Sequence, residues 1–137
     1  MPRPFLLLIA IAIVLLFWDG LWRTLGVPSI RPKELMPRLL GKDGIPPLLV
    51  DIRTRIEYGW FHIPGALHKP DLLFDADKAD LPRDRDIVVI CMTGHRSPIV
   101  AKKLQSLGFT KVSHLKWGML NWLRARGPVV KGQDVEG

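Results

Sequence analysis

The stretch DIVVICMTGHRSPIVAKKLQSLG, Asp86–Gly108, decides the fold. DIVVI is a β-branched apolar run bounded by charge, which suits a buried strand. SPIVAKKLQSLG then reads as a helix, with Ser97 as N-cap, Pro98 at the first helical position and Gly108 as the stop. Ile99, Val100, Leu104 and Leu107 recur at helical spacing. Between strand and helix lies CMTGHR, with the only cysteine of the chain at its head. A strand–loop–helix unit places that cysteine at the carboxyl edge of a sheet, where open α/β folds bind ligands.

Further units of the same kind surround it. PPLLVDIR (46–53) reads as a strand and RIEYGWF as a brief helix. HIPGAL turns at Pro64-Gly65 into a short extended piece. KVSHL (111–115) is another strand and GMLNWLRARG (118–127) another helix, while RPKELMPRLL (31–40) is an early helix opened by Pro32, with Pro37 bending or shortening it. The acidic DLLFDADKADLPRDRD reads as loop with one helical turn. Strands alternating with helices over 46–127 predict an α/β fold with a parallel sheet flanked by helices on both faces.

The amino terminus has another character. Phe5–Trp18 is an uninterrupted apolar run, and eleven of the thirteen residues Phe5–Phe17 are Leu, Ile, Val or Phe. Residues 4–22 nearly match the ~30 Å of a bilayer core, and Asp19 falls near the interface, where its cost is reduced. Trp18 and Trp22 suit a headgroup belt. The expectation is one transmembrane helix within residues 1–23, then a linker (24–29), a domain (30–130) and a tail (131–137). A cleaved signal peptide and a buried core helix are the competing readings, the first weakened by the lack of a small-x-small cleavage site. Arg23, Arg31, Lys33 and Arg38 follow the segment, so the positive-inside rule favours a cytoplasmic domain over a periplasmic or extracellular one.

The formal charge of +7, from 20 basic and 13 acidic residues, is scattered in runs no longer than Lys102-Lys103, which argues against a nucleic-acid partner. A lone cysteine excludes an internal disulfide, and the Cys/His spacing offers no metal site. Taken alone, Cys91 is readable as a small core residue or as a nucleophile. The helix amino terminus, the amides from Met92 to Ser97 and the guanidinium of Arg96 all favour a thiolate, and Gly94 suits a tight cradle.

Cys91-x-x-Gly94-x-Arg96-Ser97 resembles the active-site loop of the rhodanese-like sulfurtransferases. LLVDIRTRIEYGWFHIPGALHKP resembles that family's hDhRxxxEaxxGHIPGAhxhP element (h apolar, a aromatic), and LGFTKVSHLKWGMLNWLRARGPV its closing hGaxxVxxhxGGhxxWxxxGhPh. The likeness covers residues 29–130. It implies that Cys91 takes a sulfane sulfur from a donor such as thiosulfate or a protein persulfide, and passes it to a thiol or other nucleophilic acceptor without a cofactor. It implies further that Met92, Thr93, Gly94, His95, Arg96 and Ser97 bind the substrate, with Arg96 holding an oxyanion or departing sulfite. Asp51 and Arg53 are implied as supports of the loop, against the alternative of a surface ion pair.

Related phosphatases use C-x5-R, one residue longer than CMTGHR, so the shorter loop suits sulfur better than phosphate. A rhodanese-like interaction or sulfur-carrier module at the membrane is the other reading. Where the family has paired glycines this chain has Trp117-Gly118, which makes Trp117 a candidate pocket wall. Met92 and His95 stand at the loop rim, His95 either as a base or simply facing solvent. His62 and His114 are assigned to structure.

Overall fold

The computed structural model describes residues 3–42 and 44–132. Two helices come first, α1 (Arg3–Leu16) and α2 (Trp18–Thr24), followed by the two-residue strand β1 (Ser29–Ile30) and helix α3 (Pro32–Leu39). Then come β2 (Leu48–Asp51), α4 (Arg55–Trp60) and β3 (Leu67–His68). Two 3₁₀ turns, Pro70–Leu73 and Ala76–Lys78, occupy the acidic segment, where one turn was expected. The chain continues through β4 (Ile87–Ile90), α5 (Ser97–Ser106), β5 (Val112–Leu115) and α6 (Gly118–Arg124). Residues 133–137 of the expected tail lie outside the described residues.

The strands form one parallel sheet in the order β1-β5-β4-β2-β3. Alternation along the strands divides the core into two layers. Val50, Ile87, Val89 and Cys91 face α5 (Val100, Ala101, Leu104) on one side. Leu49, Val88, Ile90 and Leu115 face Leu35 of α3 and Met119 and Trp122 of α6 on the other. The central position of β4 places its carboxyl end, and so Cys91, at the middle of the sheet edge.

The amino-terminal segment departs from the continuous helix expected over 4–22. It breaks at Phe17 and turns by 54° between α1 and α2. Among the described residues no single helix is long and apolar enough to cross a membrane; only α1 and α2 taken together have the length and composition for it. The two halves also differ in environment. No residue of α1 is buried, whereas Trp22 of α2 packs on the core layer that holds Cys91. Val27, in the stretch read as a linker, is fully buried.

Candidate active site

The loop from Cys91 to Arg96 closes around the Cys91 sulfur. Gly94 N–H donates to Sγ at 3.1 Å and Ser97 N–H at 3.4 Å. The thiol is fully buried. The first helical residue is Ser97, one earlier than expected, and Arg96 is the N-cap. Ser97 therefore does not cap with its side chain. Its hydroxyl accepts from the Cys91 thiol at 3.5 Å and faces His114 Nδ1 at 3.2 Å.

The loop is held from behind by α6. Met119 N–H donates to Cys91 O (2.9 Å) and Leu120 N–H to Met92 O (3.1 Å), so the free amides of that helix start take the loop carbonyls. This approach leaves no room for side chains. A Cβ on Gly118 would lie 2.5 Å from Cys91 O, and one on Gly94, at φ +82°, 2.8 Å from Trp117 N. Trp117 itself sits at φ 58°, where a residue with a Cβ costs about 1–2 kcal/mol. Its ring, with Leu16, Thr93, His95, Leu120, Asn121 and Arg124, lines a groove of about 430 Å³ along the rim.

Arg96 does not point freely into solvent. Its Nη1 and Nη2 lie 3.3–3.4 Å from the Glu57 carboxylate. Glu57 is placed by the Thr54 capping box that starts α4, and this neighbour was not foreseen as part of the site. Burial pushes the Glu57 carboxyl up, but the Thr54 N–H and Arg96 outweigh it and hold the group below its ordinary value of 4.5.

Asp51 and Arg53 are far from a surface pair, since both side chains are wholly buried. Arg53 Nη2 donates to Asp51 Oδ2 at 2.9 Å and Nε to Oδ1 at 3.0 Å. Nη2 also donates to Phe61 O at 2.6 Å, tying the start of α4 to its end.

His95, read from the sequence as either a base or a solvent-facing side chain, is half-buried and engaged at both ring nitrogens. Nε2 lies 3.3 Å from Leu15 O of α1, and Nδ1 2.8 Å from Thr93 Oγ1. Because a carbonyl only accepts, Nε2 carries the proton and Nδ1 accepts from the threonine hydroxyl. Trp18 Nε1–H donates to His95 O at 3.0 Å, and the His95 ring stands edge-on to Trp117 at 5.7 Å. Met92 packs against the α6 side of the core. His62 is buried and stacked on Tyr58 at 3.7 Å, with Nδ1 2.8 Å from Tyr58 O.

Comparison with known proteins agrees with this geometry. The family model of the Rhodanese-like domain matches residues 32–125. A sulfurtransferase of Allochromatium vinosum is 36% identical over 104 residues, 76% of this chain and 95% of that protein. A probable adenylyltransferase/sulfurtransferase of Mycobacterium tuberculosis is 33% identical over 73% of this chain, which spans 26% of that longer protein. Among solved structures, the Rhodanese-like domain of an Anabaena protein superposes with a TM-score of 0.66 at 30% identity, covering 76% of this chain and 79% of that one. With the loop, Gly118 behind it and the parallel sheet in place, and with the family model matching residues 32–125, the chain belongs to the rhodanese-like domain family.

Proposed function

We propose that the protein is a sulfurtransferase in which Cys91 carries the sulfur as a persulfide. The Cys91 thiolate attacks the outer sulfur of thiosulfate or of a protein persulfide. The donor's S–S bond breaks, and sulfite or a thiolate leaves with the electron pair. The terminal persulfide sulfur is then attacked by a nucleophilic acceptor, which restores the thiolate. The observation that carries this reading is the pair of N–H groups, from Gly94 and Ser97, directed at Sγ. Such donors stabilise an anionic sulfur without a neighbouring positive charge. Arg96, 34% exposed, is available to a sulfite oxygen once it parts from Glu57. As Cys91 is the sole cysteine of the sequence, an acceptor thiol, where the acceptor is a thiol, comes from outside these residues.

The apolar α1, none of whose residues is buried, is proposed to attach the domain to a membrane, with the domain on the cytoplasmic side. A helix surface of this kind needs cover, and its 14 residues reach about 21 Å.

The test uses the full chain in detergent. Incubation with thiosulfate should add one sulfur to the intact mass, and cyanide should discharge it as thiocyanate. Absence of the adduct on wild type, or its persistence in Cys91→Ser, refutes the mechanism. Co-flotation with liposomes that is lost when Ile9, Ile13 and Leu16 become Ser tests the attachment. A carboxyl-terminal alkaline phosphatase fusion that is active would refute the cytoplasmic side.

A further inference from the structure

The Cys91–Ser97 contact continues inward. Ser97 Oγ is 3.2 Å from His114 Nδ1, and His114 Nε2 is 3.3 Å from Asp19 Oδ1, the second approach lacking hydrogen-bond alignment. The His114 side chain is 1% exposed and that of Asp19 13%. Asp19 belongs to α2, so a residue from the amino-terminal segment reaches the interior beside the loop. Burial pushes the His114 imidazole down to about 4, and the Asp19 carboxylate offsets this only in part. The resting ring is therefore neutral.

The direction of the chain follows from donors and acceptors. With the Asp19 carboxylate 3.3 Å from Nε2 and a hydroxyl at Nδ1, the tautomer protonated at Nε2 is the one that sets the ring proton, rather than a bare lone pair, against the negative charge. Nδ1 is then bare and accepts the Ser97 hydroxyl proton, which leaves Ser97 Oγ to accept from the Cys91 thiol. Every proton points from sulfur towards histidine.

We infer that His114, acting through Ser97, takes up the proton of the Cys91 thiol, and that Asp19 of α2 holds the imidazolium this creates. The S–H bond breaks and its proton passes to Ser97 Oγ, while the Ser97 proton moves to His114 Nδ1. The products are a thiolate in the N–H cradle and an imidazolium against a carboxylate. The other groups facing this site are Arg23 of α2 and Lys116 after β5, 3.9 and 3.7 Å from Asp19 Oδ2. β1 and the residue before it contribute only neutral groups, including Pro28 O, which accepts from His114 N–H at 3.1 Å. Both cations oppose an imidazolium; the Asp19 carboxylate favours it, and the thiolate formed in the same step adds the second negative charge that offsets burial. His114 is a positioning residue in this sense, since it touches no substrate.

The inference rests on Cys91 being the reacting nucleophile, but its test needs no sulfur donor. Iodoacetamide alkylation of the full chain is followed by intact mass from pH 5.5 to 10, where the single cysteine makes the mass shift specific to one site. His114→Asn and Asp19→Asn should each alkylate about tenfold more slowly than wild type at pH 7, one pH unit's worth of thiolate. The curves should converge near pH 10. Superimposable profiles overturn the inference, as does a slowing of equal factor at every pH, which is what a structural disturbance alone would give. If thiosulfate leaves no adduct while the alkylation profiles separate as described, the sulfur-transfer reading fails and the proton path stands.

Discussion

Replacing Arg53 with Met separates a buried, structural ion pair from a surface ornament. Asp51 and Arg53 are both fully buried, and Arg53 makes three hydrogen bonds to the Asp51 carboxylate and one to Phe61 O. In Arg53→Met the carboxylate keeps only the backbone N–H of residue 53, now 3.0 Å away. Breaking a buried pair by removing one partner costs about 3–5 kcal/mol, and the surviving amide bond points to the lower end, about 3 kcal/mol. For a chain of this size that lowers Tm by about 10 °C. Asp51→Asn with Arg53→Met removes both charges and should cost only about 1 kcal/mol, because buried pairs seldom exceed their own desolvation cost. Urea unfolding of the full chain in mild detergent, followed by tryptophan fluorescence, measures both. A loss under about 1 kcal/mol for the single variant, or strict additivity in the double-mutant cycle, would show the pair behaving as an exposed one and would refute the reasoning.

Gly94→Ala must fit a Cβ at φ +82°, 2.8 Å from Trp117 N, so sulfur uptake by intact mass should fall at least about 100-fold while urea unfolding remains cooperative. His114 predicts a pH window for stability. The unfolded ring takes a proton near 6.5 and the folded one only near 4, so stability is full above about pH 6.5 and falls by about 3 kcal/mol on acidification to 4. His114→Asn should flatten that slope in thermal scans; wild-type stability unchanged from pH 7 to 5 would contradict it. Glu57 works in a lower window, since its depressed carboxyl is lost only as the pH falls below 4.5, and Glu57→Gln should leave the 4.5–6.5 slope intact.

The parts of this fold that could be read from the sequence are those fixed by local pattern. The β-branched run before Cys91 and the proline-opened helices are each dictated by neighbours along the chain, whereas Gly118 is required by the carbonyls of Cys91 and Met92 from a distant segment. β1 was missed because two residues carry no period, and its pairing with β5 depends on partners distant in sequence. The capping role expected of Ser97 failed for a related reason. A serine before a proline is a good local cap, but here the sulfur at one side and His114 at the other compete for the hydroxyl. His114 and Asp19 could not be recognised from spacing, because their relation exists only once α2 has folded back onto the domain. Glu57 was recognisable as a capping-box glutamate, yet its second role beside Arg96 required the sheet to bring the start of α4 against the Cys91–Arg96 loop.

The break at Phe17 is the least legible feature, and the one with most bearing on function. Hydropathy is continuous through it, and neither proline nor glycine stands at the bend. What changes there is the partner. On one side α1 has no residue buried; on the other, Trp18 bonds His95 O and Asp19 approaches His114. The 54° turn lets the two halves serve different surroundings, which a straight helix over the same residues would not. On the proposal that α1 enters a membrane, the same turn fixes the active-site rim near its surface, because Leu16 lines the groove together with His95 and Trp117. Attachment and chemistry would then be coupled through a single hinge: a displacement of α2 large enough to break the Trp18 bond also withdraws Asp19 from His114. A membrane that holds α1 steady would thereby keep Asp19 beside His114, the thiol's proton acceptor.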